Sequence, residues 1–115
     1  VGKTTTGVNL AASLTATQRR VLLVDLDPQG NATMGSGIDK RALDATVYQV
    51  LLGEKTVADV RQRAQAGYDV LPANRELAGA EVELIEIEQR ETRLKDALAA
   101  VTADYDFILI DCPPA

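Results

Sequence analysis

The chain has 115 residues, 46% hydrophobic and 25% charged, the proportions of one small globular domain rather than a disordered segment. A formal net charge of −5, with one Phe, three Tyr and no Trp, opposes non-specific nucleic-acid binding by this segment and leaves little for a base-stacking surface. One Cys and no His exclude an internal disulfide and leave too few ligands for a zinc site, and no apolar run approaches the roughly 18 residues of a membrane helix.

Thr4 to Ala16 reads as a helix, with Val8, Ala11, Ala12 and Leu14 on an apolar face whose small residues permit close packing on a sheet. Gln18-Arg19-Arg20, and later Arg61 to Arg63, are basic runs too short to be more than solvated surface. VLLVDLD at 21–27 is a continuous apolar run ending in acid, the pattern of a buried parallel strand with carboxylates at its C-terminal end. PQGNATMGSG at 28–37 is a loop by composition. Val47 to Leu52 and Val57 to Gln65 read as short helices on either side of Gly53, and Tyr68 to Leu71 as a second strand stopped by Pro72. Ala73 to Val101 is helical by pattern, with Leu77, Leu84, Ile87, Leu94, Leu98 and Val101 at helical spacings; the apolar stripe lapses near Gln89 to Thr92, which leaves room for a break there. The acidic stretch Glu81 to Glu91 is expected on a solvated face. YDFILID at 105–111 is a third buried strand, stopped by Pro113-Pro114.

Strands alternating with helices imply βαβ units and a mainly parallel sheet covered on both faces, an α/β fold. Ligands of such sheets bind beyond the carboxyl ends of the strands. Asp25, Asp27 and Asp111 fall at such ends, and the start of the first helix should face the same edge.

Gly2-Lys3-Thr4-Thr5 stand at that helix start. A helix N-terminus offers free N–H groups and partial positive charge to a phosphate. Gly2 permits close backbone approach, Lys3 supplies a point charge, and the Thr4 hydroxyl is placed to ligate Mg²⁺, the chemistry of the end of a G-x-x-x-x-G-K-[ST] loop. The first glycine of that loop would lie before Val1, so the chain is expected to begin inside the loop. Asp25 and Asp27, two residues apart on a strand, should point the same way and serve a metal through water or orient a nucleophilic water. ILID at 108–111 has the Walker B form, with Asp111 beside the metal. Pro28, Gly30 and Asn31 favour a shaped loop able to respond to a γ-phosphate, whereas Cys112, with no His for a partner, reads as a small packing residue.

GKTTTGVNLAASL, VLLVDLDPQGNAT, LPANRELAGAEVEL and YDFILIDCPP, in this order and spacing, resemble the ParA/Soj chromosome- and plasmid-partitioning ATPases, deviant-Walker-A members of the P-loop proteins. The resemblance covers residues 1–115 as a partial P-loop ATPase domain (ParA-like, AAA_31/CbiA-like). It implies a three-layer P-loop NTPase fold whose first strand, signature lysine and C-terminal half lie outside the chain. It also implies ATP and Mg²⁺. Lys3 would contact phosphates and take part in catalysis, with Gly2, Thr4 and Thr5 in the nucleotide cradle. Thr4, Asp25 and Asp111 would serve the metal, and Asp27 would position the attacking water. Gly30, Asn31 and Thr33 would fall in a switch-like loop.

The activity implied is slow ATP hydrolysis coupled to an ATP-dependent homodimer, non-specific DNA binding through regions outside the segment, and a ParB-like partner. The setting implied is the bacterial cytoplasm and nucleoid, not a membrane. The alternatives are a MinD-like membrane-positioning ATPase and a non-catalytic adaptor relative. DPQGNAT favours the partition branch over the first, and the retained Lys3, Asp27 and Asp111 argue against the second. A nitrogenase iron-protein-like reading is disfavoured because only Cys112 is available to a cluster.

Overall fold

The computed structural model describes residues 2–27, 29–74 and 87–112. In chain order its elements are α1 (Gly2–Ala16), β1 (Val21–Asp25), α2 (Asn31–Gly35), α3 (Val47–Leu51), α4 (Val57–Val60), β2 (Gln62–Arg63), β3 (Asp69–Leu71), α5 (Ile87–Ala99) and β4 (Phe107–Asp111). The strands form one sheet in the order β2-β3-β1-β4. β1 runs parallel to β3 and β4, and only the two-residue β2 is antiparallel.

β1 is the centre because every one of its residues is apolar or carries a satisfied acid, and all five are buried. Its side chains alternate between two layers. Leu22 and Val24 pack with Val47, Val50 and Leu51 of α3, Val57 and Val60 of α4, and Leu94 and Leu98 of α5. Val21 and Leu23 face Ala11 of α1, Ala32 of α2 and Tyr68, with Val8, Ala12 and Leu14 half-buried against them. The expected three-layer arrangement with a mainly parallel sheet is present, and each fully buried Leu or Val contributes on the order of 1.5–3 kcal/mol. Capping boxes at Thr46 and Thr56 start α3 and α4.

Five features differ from the sequence reading. Within 28–37, residues Asn31–Gly35 form α2 rather than a loop. Gly30, at φ 68, supplies the left-handed turn that lets this short helix start directly behind β1. The helix expected to run to Gln65 ends at Val60, and Gln62–Arg63 pair with β3 instead. Ala73 and Asn74 are not helical, and residues 75–86, with Leu77 and Leu84, lie outside the described residues. No break occurs near Gln89 to Thr92: α5 is continuous from Ile87 to Ala99, since Leu94 and Leu98 anchor it and the polar turn before them lies on its outer side. β4 is not buried. It is one of the two edge strands of the described sheet, paired with β1 along one side only, and Phe107 and Ile110 remain 42% and 48% exposed.

At the amino edge of the sheet, Arg20 N–H donates to Asp106 Oδ2 at 2.8 Å while Asp106 N–H donates to the Arg20 carbonyl at 2.8 Å. This reciprocal pair sets β1 and β4 in register, which brings Asp25 level with Asp111 at the opposite edge. The two basic runs meet around a cleft of about 670 Å³ at this amino edge. Three of their four arginines are paired there: Arg20 with Asp106 at 3.5 Å, Arg61 with Asp104 at 3.6 Å and Arg63 with Asp69 at 2.8 Å. The runs are solvated surface, as the sequence reading expected.

Candidate functional site at the carboxyl edge of the sheet

The chemistry-bearing residues collect at the carboxyl ends of β1 and β4. Strand pairing places Asp25 opposite Asp111, and Leu26 N–H donates to the Asp111 carbonyl at 2.9 Å, extending the ladder one residue past β1. Both carboxylates are buried, at 0% and 7% exposure. The opening turns of α1 reach the same edge, where Thr6, Gly7 and Leu10 line one groove of about 720 Å³ with Asp111 and Cys112. The backbone of Gly2 to Thr5 forms the first turn of α1, and the side-chain roles expected of Lys3, Thr4 and Thr5 lie outside what is described.

Asp25 is held by three donors. Its Oδ1 accepts the Asp27 N–H at 3.0 Å, and its Oδ2 accepts both the N–H and the hydroxyl of Thr33, at 2.9 and 2.7 Å. The Thr33 oxygen in turn accepts the Ala73 N–H at 3.0 Å, so one buried hydroxyl ties the end of β1 to the chain leaving β3. Burial pushes the Asp25 carboxyl above its ordinary value; the Thr33 and Asp27 donors oppose this, and the Asp111 charge adds to it. A pair of level, buried acids is a place where positive charge is wanted.

Asp27 lies beyond the strand, which stops at Asp25, so strand alternation does not govern its direction. It is 4% exposed and held by the turn that follows. Its Oδ1 accepts the Gln29 N–H at 3.0 Å, its Oδ2 accepts the Asn31 side-chain amide at 2.8 Å, and its carbonyl accepts the Gly30 N–H at 2.8 Å. The two acids are thus held by different residues of α2, Asn31 for Asp27 and Thr33 for Asp25. The sequence reading placed Asn31 and Thr33 in this region without assigning what they hold. The usable signal was an Asn four residues after an acid that precedes a Gly. Cys112 is exposed rather than a packing residue, because β4 ends at Asp111 on the sheet's outer side.

Among the described residues no three acidic or cysteine side chains form a metal-holding group. Mg²⁺ does not need one. It keeps several waters and is bound by one or two carboxylates together with substrate phosphates. Asp111 and Asp25, hard oxygen donors at neighbouring strand ends, fit that demand.

The family described as AAA domain (AAA_31) matches residues 1–115. The chain belongs to this family. Its resemblance to the ParA/Soj proteins holds along its length. It is 53% identical over 116 residues to the sporulation initiation inhibitor protein Soj of Bacillus subtilis and 50% identical over 116 residues to the chromosome partitioning protein ParA of Myxococcus xanthus. Both alignments take in 100% of this AAA-family chain but only 46% and 41% of those relatives, so it spans a little under half their length. Among solved structures it superposes on a Mycobacterium smegmatis protein described as cobyrinic acid a,c-diamide synthase with bound ATP analogue and magnesium. The TM-score there is 0.88 at 48% identity, covering 98% of this chain and 46% of that one. The fold is that of the P-loop NTPases.

Proposed function

We propose that the whole protein is a ParA/Soj-type ATPase that binds ATP with Mg²⁺, hydrolyses it slowly, and uses the cycle to partition a chromosome or plasmid. The observation that carries this reading is the gathering of Asp25, Asp27 and Asp111 at the carboxyl edge of the sheet, where Thr6, Gly7 and Leu10 of α1 line a groove with Asp111. The ATP analogue and magnesium bound to the M. smegmatis neighbour support the same ligands here.

Each residue then has a role that follows from its chemistry. Gly2 to Thr5 cradle the phosphates with backbone N–H groups at the positive end of α1, and Lys3 adds a full charge. Thr4 and Asp111 hold the metal, with Asp25 supporting that region from its buried position beside Asp111. When bound, Mg²⁺ neutralises charge developing on the transferred phosphoryl group. Asp27 orients the attacking water. Phosphoryl transfer asks for positioning and charge neutralisation more than covalent chemistry, which suits acids fixed by a folded turn.

In this proposal ATP stabilises a homodimer, the dimer binds DNA non-specifically through surface outside residues 1–115, and a ParB-like partner stimulates hydrolysis and resets the cycle in the bacterial cytoplasm. The test is Asp27→Ala in the whole protein. Nucleotide affinity should hold while kcat falls by about 100-fold or more, the scale of a lost general base or water-positioning group. Undiminished hydrolysis would remove Asp27 from the mechanism.

A further inference from the structure

We infer that Asn31 is a positioning residue for the hydrolytic step, acting through Asp27; the inference rests on the reading of Asp27 just given. The side-chain amide of Asn31 donates to Asp27 Oδ2 at 2.8 Å, and the Gln29 N–H donates to Oδ1 at 3.0 Å. Each carboxylate oxygen keeps a lone pair beyond the one these donors use. Fixed from the α2 side in this way, the carboxylate can accept from a water with one defined orientation. An unheld carboxylate just past a strand end would sample several rotamers and hold the water in none of them for long.

Two features make Asn31 the residue that sets this orientation. It is the first residue of α2, and Thr33, two residues on, is bonded to Asp25 and to Ala73, so α2 is anchored to the sheet at two points. Asn31 itself is exposed, so its amide is not spent on core packing. Its contact with Asp27 is the one side-chain link from α2 to that acid among the described residues. The Gln29 contact comes from backbone and cannot be tuned by substitution.

The experiment compares Asn31→Ala and Asn31→Asp with the parent in the whole protein, reading kcat, the KM for ATP and the thermal midpoint. Asn31→Ala should lower kcat by about 5–15-fold, the loss of one hydrogen bond worth about 1–1.5 kcal/mol from an exposed amide, with KM within about twofold. Asn31→Asp keeps the size of the side chain but sets a carboxylate against a carboxylate, so kcat should fall further than in Asn31→Ala. A side chain that only fills space would tolerate the Asp. Parent-like kcat in Asn31→Asp would overturn the inference, as would a fall in kcat that merely tracks a falling thermal midpoint and a rising KM. Asp27→Ala separates the two levels. If it abolishes turnover while both Asn31 variants turn over normally, Asp27 stands and the role of Asn31 does not. If Asp27→Ala hydrolyses normally, the underlying reading fails.

Discussion

Replacing Thr33 by Val keeps the shape of the side chain and removes one hydroxyl that serves two partners. Thr33 is fully buried. Its hydroxyl donates to Asp25 Oδ2 at 2.7 Å and accepts from the Ala73 N–H at 3.0 Å. Loss of a hydrogen bond to a buried charged acceptor costs about 1.5–3 kcal/mol, and a buried N–H left without an acceptor about 1–3 kcal/mol. The two losses share one oxygen, and Asp25 keeps the backbone donors of Thr33 and Asp27, so the sum overstates the effect. We expect Thr33→Val to destabilise by about 3–4 kcal/mol. At a urea m-value of about 1.5–2 kcal/mol per molar, the unfolding midpoint drops by about 2 M. Thr33→Ser retains both bonds and loses one methyl, for a cost of about 1 kcal/mol. Urea denaturation of the three proteins followed by circular dichroism is the assay. If Val is tolerated as well as Ser, the hydroxyl does not couple β1 to the exit of β3, and the account of how Asp25 is held is wrong.

Two further outcomes are expected. Asp106 is held below its ordinary carboxylate value of 3.8, chiefly by the Arg20 backbone N–H and then by the Arg20 side chain. A depressed folded-state value means stabilisation that is present above 3.8 and disappears as pH falls through the folded value. The stability difference between parent and Asp106→Asn, followed by thermal melts, should therefore be present at neutral pH and shrink on acidification; a gap that widens toward acid pH would contradict it. For the whole protein, DNA affinity should require ATP rather than ADP. It should also drop on the order of 10³-fold between about 50 and 200 mM salt if about six phosphates are contacted. Equal binding with both nucleotides, or none with either, would count against the partition cycle.

The central strand was legible because an unbroken apolar run ending in acid has few other solutions than a sheet core with its carboxyl end at a site. The first helix, the strand at 69–71 and the placing of Asp25 and Asp111 at strand ends were equally visible, whereas the pairing of Asp25 with Asp27 as neighbours on one strand was not upheld, because β1 stops at Asp25. The turn after Asp27 was not. Gly, Asn, Ala, Thr and Met in a row read as loop by propensity. They fold as α2 because Gly30 takes a left-handed turn and Thr33 finds both a buried acid and a buried N–H, partners that exist only once β1 and β3 lie side by side. The exposure of Phe107 and Ile110 was likewise hidden, because an apolar run shows that a strand is suited to cover and not how many neighbours it has.

Sequence alone thus determined which residues are candidates for the chemistry, because acid at a strand end and GKT at a helix start are local patterns with local causes. Only the tertiary structure decided how those acids are held. The hydrogen bonds that orient Asp25 span eight residues to Thr33 and a further 40 from Thr33 to Ala73, and contacts at such separations leave no periodicity in the chain.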